Sequence, residues 1–142
     1  MGIFHRWLWI FGLAALLWAM PRPAVALTDI RLTDLHYEAC PPELAAGAVT
    51  SGGTINPAQC FLITGKATNP TAKAVYDADV YGRVFDANGE PAIPNRGRLD
   101  SLEMVPPGTS DFVIRITVPA TQPPPLTLAQ FKASGFSSRV RR

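Results

Sequence analysis

Between Gln59 and Glu90, side chains alternate with a period of two, twice, around a proline corner. Phe61, Ile63, Gly65 and Ala67 alternate with Leu62, Thr64, Lys66 and Thr68. After Asn69-Pro70-Thr71, Tyr76, Ala78, Val80, Gly82 and Val84 alternate with Asp77, Asp79, Tyr81, Arg83 and Phe85. Strands with one face buried and one exposed have this pattern; an amphipathic helix, with its period of about 3.6, does not. Asp86-Ala87-Asn88-Gly89 then closes the second strand, because Asn and Gly accept the positive φ of tight turns. The rest of the chain has to supply partners for these two strands.

It does so in short pieces. Thr28 to Tyr37 reads as a weaker strand, with Ile30 and Leu32 on one face and the apolar side interrupted at Asp34 and His36. Polar residues on both faces suit an edge strand, where they discourage pairing with other chains. Glu43 to Gln59 holds Gly47, Ser51-Gly52-Gly53 and Pro57, which predicts a surface loop. Leu99 to Met104 reads as a short strand, Leu99 and Ser101 on one side and Leu102 and Met104 on the other. After the turn Pro106-Pro107-Gly108-Thr109, Phe112, Ile114, Ile116 and Val118 form the cleanest apolar row in the chain. Leu126 to Phe136 is a last strand, or a strand with a short turn of helix, and offers Leu126, Leu128, Phe131 and Phe136 to the core. Five or six strands, 14 prolines and no amphipathic helix predict an all-β protein, an immunoglobulin-like antiparallel β-sandwich over residues 27–138.

The first 26 residues read as a signal peptide. Arg6 precedes an apolar run from Trp7 to Met20, and Ala24-Val25-Ala26 gives a small-x-small cleavage pattern. The run is about 14 residues against the roughly 20 needed to cross a bilayer. An uncleaved N-terminal anchor is the alternative. Without Arg6 and Arg22, the 13 basic residues fall to 11 and balance the 11 acidic ones. A near-neutral body lacks the Lys and Arg surplus that nucleic-acid binding draws on, so no nucleic-acid partner is expected. Arg139, Arg141 and Arg142 make a basic tail over 139–142, either solvated or able to touch an anionic membrane or an acidic partner. Cys40 and Cys60 are the only cysteines. In an exported chain they read as one structural disulfide; two reduced thiols or a redox pair are the rivals, and the Cys-x-x-Cys spacing of a redox pair is absent.

Phe61-Leu62-Ile63-Thr64-Gly65-Lys66-Ala67-Thr68-Asn69-Pro70, then Ala74 to Val80 and Gly82-Arg83-Val84-Phe85-Asp86-Ala87-Asn88-Gly89, resemble the FxLYD-type sandwich domain. Gly82 stands at the position of the first Phe of the namesake motif, and Pro107-Gly108 with Phe112-x-Ile114 continue the likeness. The resemblance covers roughly Phe61 to Val118 and implies a fold; its motifs are structural and carry no activity. As a whole the chain also resembles small exported proteins of cyanobacteria, which implies the periplasm or the thylakoid lumen. Some of those carry a biotin-carboxylase label. This sequence has no Met-Lys-Met biotinylation site, no glycine-rich nucleotide loop and too little chain for an ATP-using ligase.

The sites weigh as follows. Asp77, Asp79 and Asp86 are the carboxylates nearest to a calcium set, but the spacing misses a helix-loop-helix loop, where oxygen donors are needed at Tyr81 and Asn88. His36 has no Gly-x-Ser-x-Gly elbow or Cys-x-x-Cys pair to work with. Tyr81, Arg83 and Phe85 share the face opposite the apolar row and have the composition of a protein-contact patch, unless Phe85 turns into the core. The expectation is a non-catalytic, cofactor-free exported domain that binds protein, an accessory or assembly factor of a membrane complex. The alternative is a β-sandwich that binds a small ligand or a metal ion such as calcium.

Overall fold

The computed structural model describes residues 27–50, 56–93 and 97–139. Six strands carry the fold: β1 (Leu27–Ala39), β2 (Ala58–Asn69), β3 (Val75–Phe85), β4 (Arg98–Val105), β5 (Gly108–Pro119) and β6 (Thr127–Phe136), with one helical turn, α1 (Pro42–Ala45). All pairs are antiparallel, in the order β4-β3-β6-β1-β2-β5. The order folds into a sandwich because β1 changes partner along its length. Its first residues, Leu27 to Ile30, pair with β6, and Arg31 to Ala39 pair with β2. The two outermost strands meet at the far side, where the backbone N–H of Arg115 on β5 donates to the Asp100 carboxylate of β4 at 3.2 Å.

The alternation read from the sequence delivers the core. Ile63, Ala67, Val80, Val84, Ile114 and Val118 are each nearly or fully excluded from solvent, and one apolar cluster gathers side chains from all six strands. β1 is paired on one side only along its length, first with β6 and then with β2, so it is an edge to each half of the sheet while it joins the two. Two readings need correcting. The Glu43–Gln59 segment is not wholly irregular, since α1 opens it with Pro42 in its first turn and Val49 bridges Pro57. Tyr76 and Phe136 were expected inside but lie on the outer face, with Val75 and Gly135 buried beside them; Met104, read on the same side as Leu102, is 51% exposed while Leu102 and Val105 are buried.

The reason for the misplaced faces is the β-bulge. From Thr33 to His36 β1 advances three residues while β2 advances two; β3 does the same against β6 from Tyr76 to Asp79, and β6 against β3 between Ala129 and Lys132. Each bulge holds one non-glycine residue at positive φ: Asp34 (53°), Asp77 (50°) and Gln130 (53°). One extra residue moves every later side chain to the other face. So the inward set on β1 passes from Ile30 and Leu32 to Leu35 and Tyr37.

A glycine on the neighbouring strand lies against each bulge. A Cβ on Gly135 would stand 2.6 Å from the Tyr76 carbonyl and 2.8 Å from Ala78 Cα, on either side of Asp77. A Cβ on Gly82 would stand 2.5 Å from the Phe131 ring, next to Gln130. Gly65 has the same relation to Thr33 and Leu35 around Asp34. The absent side chains let the kinked strands close onto their partners.

The Cys40–Cys60 disulfide is formed, with Cα atoms 5.3 Å apart, and joins the end of β1 to the start of β2. Beside it Cys40 N–H donates to Cys60 O at 3.0 Å. The bridge closes the loop that carries α1. Replacing both cysteines (Cys40→Ala with Cys60→Ala) is expected to lower stability by about 3 kcal/mol, the loop-entropy value for a ring of this size. Chemical denaturation under non-reducing conditions would measure it, and a loss under about 1 kcal/mol would mean the bridge restrains little.

Candidate functional site

From Ala78 to Phe85 strand β3 keeps its phase: Ala78, Val80 and Val84 point into the core, so Asp79, Tyr81, Arg83 and Phe85 line the outer face. The predicted contact residues therefore stand together. Arg83 is exposed and its guanidinium carbon lies 5.4 Å from the centre of the Phe85 ring, while Tyr81 and Phe85 are half-buried. Phe85 belongs to this face, not to the core. Across the sheet Tyr81 is in register with Arg98 of β4 and Lys132 of β6, and Arg98 Nη1 donates to Asp79 Oδ1 at 3.0 Å. The result is a rigid patch in which aromatic rings alternate with guanidinium and ammonium groups on paired strands. Such side chains offer large apolar area with few torsions to freeze, plus planar donors for carboxylates or carbonyls.

The three candidate metal ligands are not brought together. Asp77 is the bulge residue of β3. Asp79 faces Arg98. Asp86, 5% exposed, accepts at Oδ1 from the backbone N–H groups of Asn88 (2.8 Å) and Glu90 (2.9 Å) and so shapes the turn after β3. Among the described residues, no group of three His, Cys, Asp or Glu side chains has an arrangement that could hold a metal ion. Millimolar calcium is accordingly expected to leave the thermal midpoint unchanged within error; a rise that grows with calcium concentration would restore the metal reading.

His36 is exposed on β1, in a shallow depression it shares with Asp34, Lys66 and Asp111. Lys66 and Asp111 pair there, and the hydrogen bond and charge of Asp111 hold the Lys66 pKa above the usual lysine value. A raised lysine contributes its stability at every pH below the ordinary lysine range and loses it only as pH rises through the shifted value. The pair is solvent-exposed and leaves no imprint near neutrality.

Arg139 does not simply trail off the last strand. Its guanidinium carbon lies 5.3 Å from the centre of the Tyr76 ring, and Nη2 is 3.5 Å from Glu103 Oε1. Arg141 and Arg142 lie outside the described residues, as does the segment 1–26 read as a signal peptide. Sequence reasoning missed Asn69 as a structural centre and missed the Tyr76–Arg139 pair. The first had a signal in Asn-Pro-Thr turn chemistry; the second joins distant segments and had none. No family model, curated protein or solved structure matches this chain.

Proposed function

We propose that this chain is a non-catalytic exported domain whose task is to bind protein, as an accessory or assembly factor of a membrane complex in the periplasm or thylakoid lumen. The observation that carries the reading is the outer face of β3, with Tyr81, Arg83 and Phe85 assembled on a sheet and flanked in register by Arg98 and Lys132. The Cys40–Cys60 bridge is compatible with an oxidising compartment.

The same reading groups the chain with FxLYD-type sandwich domains. Its support is that the motif segments fall on β2, on β3 and in the turn after it, and on β5. Where that pattern has Phe and this chain has Gly82, the ring of Phe131 from β6 fills the space. An aromatic side chain is thus supplied from the neighbouring strand.

Affinity capture from solubilised membranes, with Tyr81→Ala beside the unaltered chain, tests the proposal. A hot-spot aromatic is expected to cost at least tenfold in affinity on truncation, about 1.4 kcal/mol or more. Equal capture by both chains, at equal thermal stability, would remove this face from the account.

A further inference from the structure

Away from the Tyr81 patch, the other end of the same sheet carries a second and chemically different surface. Leu27 of β1 is in register with Phe136 of β6, Phe136 with Tyr76 of β3, and Tyr76 with Met104 of β4. Side chains at directly opposed positions project from the same face. Gly135, Val75 and Val105 beside them are buried, so this row runs across the outside of four strands. Its two ends are among the most exposed large apolar residues described, Leu27 at 57% and Met104 at 51%. Arg139, 68% exposed at its side chain, lies over the Tyr76 ring in the middle.

Because Leu27 opens β1 and Phe136 closes β6, and the two are cross-strand partners, the chain enters and leaves the sheet at this one corner. The sequence leading into Leu27 contains the apolar run Trp7 to Met20, and the sequence leaving Phe136 goes on to Arg139, Arg141 and Arg142.

We infer that this corner docks on the surface of a bilayer containing anionic lipid. The apolar row and the Tyr76 ring suit the boundary between headgroups and acyl chains, where Tyr concentrates and Arg reaches outward to phosphate. Neither element alone holds a protein on a membrane; a modest apolar contact becomes stable when a basic cluster adds a second signal. Arg139 stands at the corner, 3.5 Å from the exposed Glu103 carboxylate, and the sequence continues to Arg141 and Arg142; an arginine next to an anionic surface is worth roughly a fivefold gain. A protein partner at this corner is less favoured, since an apolar row beside arginines gathered at one chain end is the two-signal composition of a lipid contact. From Tyr76 to Tyr81 β3 rises about 17 Å, and about 30 Å to Phe85, so the Tyr81 patch lies further along the same outer face than the corner. The inference rests on the corner alone and stands apart from the protein-binding reading.

Hydrogen exchange by mass spectrometry on the full chain tests it, in solution, with phosphatidylcholine vesicles, and with phosphatidylcholine–phosphatidylglycerol vesicles. On the mixed vesicles, exchange is expected to slow at least about fivefold at the start of β1, the end of β4 and the end of β6, while β3 from Tyr81 to Phe85 is unchanged. Arg139→Glu reverses one charge on an exposed side chain, leaves the core untouched, and should remove most of that slowing; added salt should do the same. Equal slowing on both vesicle types, insensitive to Arg139→Glu, would mean that the N-terminal apolar run acts alone and would overturn the inference. So would slowing centred on Tyr81, or corner slowing seen with native membranes but with neither vesicle, which would assign the corner to a protein.

Discussion

Replacing Asn69 with alanine is expected to remove about 3–4 kcal/mol of folding stability and lower the thermal midpoint by roughly 15 °C. Asn69 ends β2 and is 1% exposed. Its amide nitrogen donates to Lys73 O at 2.8 Å and Val105 O at 3.1 Å. Its oxygen accepts from Thr71 N–H at 2.9 Å and from the Thr71 hydroxyl at 2.7 Å. One side chain thus replaces the missing backbone pairing of the β2–β3 corner and ties that corner to the end of β4. Lys73 and Thr71 are exposed and can return to water when the amide is gone. The Val105 carbonyl belongs to a residue 2% exposed and has less access to water, so it carries most of the loss. Asn69→Asp separates donor from acceptor roles. It keeps the bonds from Thr71 but turns a carboxylate toward two carbonyl oxygens, which raises that carboxyl's pKa in the folded state. A raised folded-state pKa means that the folded form binds protons more tightly, so this variant should regain stability as pH falls. Denaturant titration at neutral and acid pH measures both effects. A loss under about 1 kcal/mol for Asn69→Ala would show that water replaces the amide without penalty.

How much of this was legible beforehand follows from where the strands keep their phase. β2 and β5 run without a slip through their shared register from Ala58↔Pro119 to Asn69↔Gly108, and their inward rows were read correctly. β3 was read correctly from Ala78 onward, which is why the Tyr81, Arg83 and Phe85 face emerges as expected. The errors sit at the bulges. Tyr76 was placed inside because an unbroken period of two skips over Asp77. The apolar side of β1 looked broken because the slip at Asp34 overlays two registers, Ile30 and Leu32 in one and Leu35 and Tyr37 in the other. A glycine within a strand pattern is a signal for such close approach, and Gly65 and Gly82 both carried it. Which strand kinks against which glycine depends on pairing between distant segments, and local periodicity holds no information about that. The corner formed by Leu27, Phe136, Tyr76 and Met104 was hidden for the same reason, its four members coming from four separate strands.

The glycine–bulge contacts lead to the second large effect. Gly135→Val is expected to cost about 4 kcal/mol, beyond the roughly 1–3 kcal/mol usual for overpacking, and to leave a chain that melts early or fails to accumulate. The first added carbon alone would stand 2.6 Å from the Tyr76 carbonyl oxygen, 2.7 Å from Val75 Cγ1 and 2.8 Å from Ala78 Cα. Two of these three atoms are main chain on the bulged strand, and Val75 and Ala78 are fully buried, so nothing nearby can swing aside. β3 would have to lift off β6. Gly82 provides the contrast. The three atoms nearest a carbon added there all belong to the ring of Phe131, and Phe131 is partly exposed and can rotate outward. Gly82→Ala should therefore cost only about 1 kcal/mol, and Phe131→Leu in the same chain should recover part of it. If the two glycine substitutions instead cost the same, the bulge each one faces would not be what sets the penalty; backbone entropy acts in the opposite direction, since replacing glycine lowers the freedom lost on folding.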